Sequence, residues 1–310
     1  MLARKILWIV AGRRSLVYMR RTVALVSVVL CVGCGGGTVP GPAASTVSAF
    51  EKVADLDPPM NSEHFEGGPS ISSDGLQLYF ITDRDVTNGG EIWVASRSST
   101  SEAFSKVQKL GPAVNSSADE GAPSISADGR ELFFDRSPDG HIFIATRSST
   151  SGPFARVAVL DLGNTACCDG FPNISSDGLD LYFCSSRPGG FGGDDIWVAS
   201  RASRSSSFAP PVNLGSSLNT AASDCDPNIS SDGLTLFLAS DRKGGSGGLD
   251  IWVAVRASRS VPFGRPVNLG HSVNSGFSDE RPGISADGRT LFFMSNRVGG
   301  HGSFDLWAAT

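Results

Sequence analysis

From residue 50 onward the apolar and polar positions follow no helical period. Short runs that alternate or stay apolar stand between turn signals, as in "PSISSDGLQLYF" (69–80) and "EIWVASR" (91–97), and such runs read as β-strands. The same text returns as "PSISADGRELFF" (123–134), "PNISSDGLDLYF" (172–183), "PNISSDGLTLFL" (227–238) and "PGISADGRTLFF" (282–293). Its aspartates, Asp74, Asp128, Asp177, Asp232 and Asp287, lie 54, 49, 55 and 55 residues apart, the period of a repeated supersecondary unit. Each copy continues with a run such as "HIFIATR" (141–147), "DIWVASR" (195–201), "DIWVAVR" (250–256) or "DLWAAT" (305–310), and four copies add another such as "FSKVQKL" (104–110) or "FAPPVNL" (208–214). The Asp-Gly pair between the first two runs signals a hairpin, because that turn requires a positive φ that glycine takes without strain. Each unit is therefore expected to hold four antiparallel strands.

The fifth copy has no fourth run before Thr310, whereas "FEKVADLDPPMNSEHFEGGP" (50–69) aligns without gaps on "FSKVQKLGPAVNSSADEGAP" (104–123). A ring closed by an N-terminal strand explains both ends at once and removes exposed sheet edges. The expected fold is all-β: a five-bladed β-propeller over 50–310, four antiparallel strands per blade, its last blade closed by the N-terminal strand.

The unit P-x-I-S-x-D-G-x-x-L-[YF]-F, followed by a glycine loop and D-I-W-V-A, resembles the WD40-like repeat of the TolB-type propellers of bacterial envelopes. That resemblance covers nearly all of 50–310 and implies the propeller fold. It implies little about activity, because the family spans binding modules, periplasmic scaffolds and appendages of peptidases and lyases. TolB-type proteins themselves carry an additional N-terminal domain, for which 34–49 leaves no room, so a lone tethered propeller is expected.

Residues 1–33 are of another kind. Six of the chain's 26 lysines and arginines lie there, before an apolar run "TVALVSVVLCVG" (22–33), with no acid. This is a secretory signal pattern, too short to span a membrane. Met19-Arg20-Arg21 would open a signal of ordinary length, with 1–18 an over-extended start. "LCVGC" ending at Cys34 resembles a bacterial lipobox, with Cys31 where leucine is usual, and implies lipidation of Cys34. A Gly/Pro/Ser tether (34–49) follows. Without 1–33 the chain keeps 20 basic residues against 31 acids, a net charge of −11, which argues against nucleic-acid binding.

Strand order puts the Asp-Gly hairpins and the "SRSSTSEAF"-type loops on one face. The glycine loops and an N-x4-[DE]-x2-P motif fall on the other, where propellers usually bind ligands. The motif's acids are Glu66, Glu120, Asp169, Asp224 and Asp279. They could form an acidic ring that holds a polar ligand. Alternatively each pairs with the arginine of its own blade (Arg84, Arg136, Arg187, Arg242, Arg297), the reading that equal counts favour. Immediately before the proline the blades differ: Gly68, Ala122, Phe171, Asp226 and Arg281. Phe171, Asp226 and Arg281 are therefore candidates for a small-ligand or glycan site in the funnel, against a channel that holds only water.

Other chemistry finds less support. The loop 243–248, "KGGSGG", has a lysine but leads into a strand rather than a helix, so it is a turn and not a phosphate cradle. His64, His141, His271 and His301, all assigned to loops, lack metal-ligand spacing, and no metal or cofactor is expected. Nor does "SSDGLD" (175–180) supply the oxygens of a calcium loop. Cys167, Cys168, Cys184 and Cys225 lie in or near the loops between blades 3 and 4. In an exported chain they suggest a disulfide, for instance Cys167 or Cys168 with Cys225. Trp93, Trp197, Trp252 and Trp307, with Phe143 in blade 2, share one strand position and should be inter-blade core. The G-x-S-x-G string at 244–248 lies in the 243–248 turn and leads into a strand, so it is no nucleophile elbow, and no sialidase Asp-box occurs.

The sequence thus leads to the expectation of a non-catalytic envelope lipoprotein, periplasmic or at the cell surface, anchored to the outer membrane. It would present its funnel to a protein or glycan partner, peptidoglycan included, or serve as an assembly scaffold. A glycan-active enzyme, glycosidase or lyase, is the alternative.

Overall fold

The computed structural model describes residues 50–85, 89–138, 140–163 and 169–310. The leader, the tether, Met19, Cys34, Cys167 and Cys168 lie outside them. The chain's first strand, β1 (Val53–Asp55), belongs to the last sheet. Blade 1 holds β2 (Glu66–Ile71), β3 (Gln77–Thr82), β4 (Glu91–Ser96) and β5 (Lys106–Lys109), and blade 2 holds β6 (Asp119–Ile125), β7 (Glu131–Ser137), β8 (His141–Thr146) and β9 (Arg156–Val159). Blade 3 runs β10 (Asp169–Ile174), β11 (Asp180–Ser185), β12 (Asp195–Ser200) and β13 (Val212–Asn213). Blade 4 follows with β14 (Asp224–Ile229), β15 (Thr235–Ser240), β16 (Asp250–Val255) and β17 (Val267–Asn268). Blade 5 is β18 (Asp279–Ile284), β19 (Leu291–Ser295) and β20 (Asp305–Ala309), completed by β1.

All pairings are antiparallel, and β1 closes the ring in register with β20, Val53 opposite Ala309 and Asp55 opposite Trp307. Glu51 and Lys52 also donate to the carbonyl of Thr310. The expected five-bladed propeller and its closing strand are therefore present. The Asp-Gly hairpins are wider than a two-residue turn: Ser72 N donates to Gln77 O at 2.8 Å, enclosing 73–76. Asp74 accepts from Leu76 N at 3.0 Å, and Gly75 takes φ +71°, the conformation that restricts this position to glycine.

Apolar packing is divided among the seams. Five clusters form, each drawn from two neighbouring blades. Trp197, Trp252, Trp307 and Phe143 are buried within them, as expected for inter-blade core. Phe50, just ahead of β1, is buried in the seam between blades 4 and 5 and meets Phe237 with ring centroids 6.4 Å apart.

One seam is covalent. The disulfide joins Cys184 of β11 to Cys225 of β14, Cα atoms 5.1 Å apart, not Cys167 or Cys168 to Cys225. Register explains the choice: the penultimate position of the second strand faces the inner strand of the next blade. Elsewhere that place is filled by size matching, with Met294 lying over Gly67 and Asp135 over Gly170. Replacing Cys184 and Cys225 together by alanine should leave the fold intact but lower its stability. For a separation of 41 residues, loop-closure entropy gives about 4 kcal/mol. Urea unfolding of the oxidised chain and the double variant measures it; equal midpoints would refute the link.

Candidate functional site

The N-x4-[DE] motif is a bridge between blades. Its asparagine pairs with the backbone of the third strand in the preceding blade. Asn115 accepts from Ile92 N at 2.8 Å and donates to Ile92 O at 2.9 Å; Asn219 does the same with Ile196, Asn274 with Ile251 and Asn61 with Leu306. The acid opens the next blade's inner strand. Glu66 accepts from Ser62 N and Oγ, from Thr82 Oγ1 and, at 2.9 Å, from Arg84. Arg136 bonds Glu120 at 2.9 Å and Arg187 bonds Asp169 at 2.8 Å, while Arg242 and Arg297 pair with Asp224 and Asp279. Each guanidinium also lies on the third-strand aromatic of its blade, from 4.3 Å over Phe143 to 5.4 Å over Trp93 and Trp197. All five carboxylates are at most 3% exposed. Their oxygens are committed to scaffold donors, so the structure brings out the ion-pair reading of these acids.

The five residues before the prolines do line the channel, together with Pro69, Pro123, Pro172, Pro227 and Pro282. Each inner strand bulges there, and all five take positive φ: Gly68 +59°, Ala122 +38°, Phe171 +53°, Asp226 +51° and Arg281 +51°. Four of the five are not glycine, so the channel wall holds backbone in a costly region. Arg281 lies 4.8 Å over the Phe171 ring, and its backbone N donates to Asp226 Oδ2 at 3.2 Å. The lining leaves a cavity of about 30 Å³, room for a water but not a sugar ring. Phe171 of blade 3 and Arg281 of blade 5 thus meet across the channel.

Two acids that the sequence analysis did not single out join this group. Asp135 of β7 occupies the column held elsewhere by Ile81, Cys184, Ala239 and Met294. It accepts from Phe171 N at 2.8 Å, and its carboxylate fits because a Cβ at Gly121 or Gly170 would fall within 2.1 or 2.8 Å of it. Glu280 of β18 stands in a column otherwise occupied by Gly67, Gly121, Gly170 and Cys225. Comparing the aligned column one residue earlier would have found Glu280, and comparing the second strands would have found Asp135. Burial pushes Asp226 up to about 6 and Glu280 up to about 7, the latter helped by the neighbouring Asp226 carboxylate; Arg281 opposes both. Burial also raises Asp135. Arg281 Nε and Nη1 are buried with no hydrogen-bond partner among the described residues.

The glycine loops face the bridging motifs, as expected, and pack on them. A Cβ at Gly192 would come 2.2 Å from Ala222 O, at Gly247 2.0 Å from Phe277 O, and at Gly302 1.8 Å from His64 O. Close approach of the next blade's backbone, not an anion, is what requires glycine here. Phe191 and Phe277 on this face are 49% and 42% exposed. His64, His271 and His301 lie in its loops, whereas His141 opens strand β8.

No family model matches the chain, and no curated protein matches it. Many solved structures do. A thermostable family-43 glycoside hydrolase shares 15% identity over 81% of this chain and 90% of that one, with a TM-score of 0.55. An α-L-arabinofuranosidase from Podospora anserina, solved with cellotriose, shares 12% over 83% and 94%, TM-score 0.51. TolB from Acinetobacter baumannii shares 18% over 80% of this chain, which spans 55% of that protein, TM-score 0.48. The likeness to the two glycosidases shows the fold. The TolB-type repeat read from the sequence therefore folds as a five-bladed β-propeller, a fold that also houses glycosidases. That finding overturns the expectation of a non-catalytic chain, because this architecture carries enzymes and nothing in it speaks against catalysis.

The raised acids make stability depend on pH. The folded chain holds the Asp226 and Glu280 protons up to about pH 6 and 7, whereas the unfolded chain releases them near pH 4. Stability is therefore full at and below about pH 4 with respect to these groups, and declines as pH rises through 6 and 7. For Asp226 the decline amounts to about 3 kcal/mol. Urea unfolding at a series of pH values should show it, and Asp226→Asn with Glu280→Gln should flatten it; an unchanged slope would disprove the assignment.

Proposed function

We propose that the chain is an exported, lipid-anchored propeller that binds a glycan at the mouth of its channel, on the face of the glycine loops. One observation carries this reading. Asp135, Asp226 and Glu280, from blades 2, 4 and 5, gather around Arg281, and none belongs to the repeat. Unrepeated polar groups converging on a ring axis are what an asymmetric ligand needs. Carboxylates accept from sugar hydroxyls and Arg281 offers free donors, while Phe191 and Phe277 supply apolar faces nearby. The narrow lining, about 30 Å³ beside the Phe171–Arg281 contact, means that such a ligand would rest at the mouth rather than thread through. The leader 1–33 and Cys34 support export and a lipid anchor, and the net acidity suits an uncharged or basic glycan better than a nucleic acid.

Hydrolysis of the bound glycan is a second reading, favoured by the carboxyl groups held to about 6 and about 7. A glycosidase needs one acid protonated near neutral pH beside one that is ionised, and the family-43 hydrolase and the arabinofuranosidase act on glycans from the same fold.

The purified chain should retain a member of a panel of soluble glycans and peptidoglycan fragments. Asp226→Asn and Glu280→Gln should each weaken that binding about tenfold, the loss of one charge-assisted hydrogen bond. Binding that ignores both substitutions would defeat the proposal. Release of reducing ends by the wild type, lost in Glu280→Gln with binding kept, would establish the second reading. For the anchor, labelled palmitate should enter the wild type and not Cys34→Ser; label in both would exclude lipidation at this cysteine.

A further inference from the structure

We propose that Asp55, Asp57 and His301 form a binding site for a divalent transition-metal ion of the zinc class, placed where the ring closes. Asp55 ends β1 and Asp57 follows it, whereas His301 lies in the glycine loop of blade 5, between β19 and β20. The donor atoms of the three side chains lie within 4.8 Å of one another, and His301 Nε2 stands 3.1 Å from Asp55 Oδ2. The site joins the two ends of the folded chain.

Comparison between blades shows why this seam differs. The acid that opens the third strand meets a side chain on the fourth strand two register steps away. In blade 1 Glu91 is paired with Lys109. In blades 3 and 4 Asp195 and Asp250 accept from Asn213 and Asn268 at 2.8 and 2.9 Å. Blade 2 has no acid there, with His141 opposite a strand that carries Val159. Blade 5 alone sets an acid against an acid: Asp55 faces the buried Asp305, and Asp57 adds a third carboxylate. Where blade 1 supplies a lysine and blades 3 and 4 a neutral amide donor, this seam supplies a set that carries excess negative charge and one imidazole.

An imidazole nitrogen with two carboxylate oxygens suits zinc, cobalt or nickel better than calcium or magnesium, which favour oxygen alone. Asp57 and His301 are exposed, so water can complete the coordination sphere. Asp305 does not compete for the ion, because its oxygens accept from His301 N and Gly302 N at 3.0–3.2 Å. It fixes the loop that presents the imidazole, as an outer partner does around a metal. An ion at this place ties β1 to β20 and so stabilises closure rather than chemistry in the channel.

Calorimetric titration of zinc chloride into the chelator-stripped full chain, with its free thiols alkylated, tests the site. One ion per chain is expected, with affinity falling at least tenfold in His301→Ala and in Asp57→Asn. The melting temperature should rise with zinc in the wild type and not in His301→Ala. Both substituted side chains are exposed, so both variants should fold. Failure to bind zinc, binding unaffected by either substitution, or calcium held as tightly as zinc would each overturn the proposal.

Discussion

Every blade buries a carboxylate at the start of its inner strand, at the first position or, for Glu120, the second, and a buried charge is tolerable only when paired and hydrogen-bonded. That requirement organises the ring. The arginine that answers the acid comes from the end of the second strand and lies flat on the third-strand aromatic, so three strands are set by one ion pair. The asparagine five residues earlier, Asn61 for Glu66 or Asn219 for Asp224, fastens the same short segment to the previous blade. Charge satisfaction inside a blade and registration between blades are therefore one device. The glycine loops follow from it, because they lie against this segment with no space for a side chain.

The device also frees the channel. With the repeated acids withdrawn into ion pairs, the axis is lined by whatever each blade places at its bulge and in the two adjacent columns. Those positions bear no repeated structural duty, and there the blades diverge. Left-handed backbone at Phe171, Asp226 and Arg281 is held by the ring around it, and it turns these side chains toward one another. The resulting cluster has more carboxyl groups than cations, which is why burial raises Asp226 and Glu280 instead of leaving them ionised.

Repeat, blade number, closing strand and faces were legible in the sequence because each rests on a pattern stated five times. The pairing of Glu66 with Arg84 and its counterparts was legible for the same reason. What escaped was information about single columns across a seam. Cys184 and Cys225 stand in two columns that face each other in neighbouring blades, and the size matching of Met294 with Gly67 records that relation. It becomes visible only once the strands are in register. Asp135 and Glu280 escaped likewise: Glu280 stands one residue ahead of the position before the proline, and Asp135 stands on the second strand, in a column that is apolar or cysteine in the other blades. His301 and Asp55 are near opposite ends of the chain, joined only by ring closure.

The expectation of a non-catalytic chain failed on that same point. Repeated acids do argue against catalysis, since a reaction needs one proton donor and one acceptor rather than five equal carboxylates. The argument holds for Glu66, Glu120, Asp169, Asp224 and Asp279, and it ends there. It says nothing of carboxyl groups that occur once, and three of these gather around Arg281. In a ring of near-identical units, function has to be sought where the symmetry breaks. Two of its breaks bear on function as proposed above: at the axis, where Asp135, Asp226, Glu280 and Arg281 meet, and at the closing seam, where Asp55 faces Asp305. On those proposals the first concerns what the propeller binds, and the second how the ring is held shut. Substitutions at one should leave the other unaltered, because their residues share no partner and lie at different places in the fold.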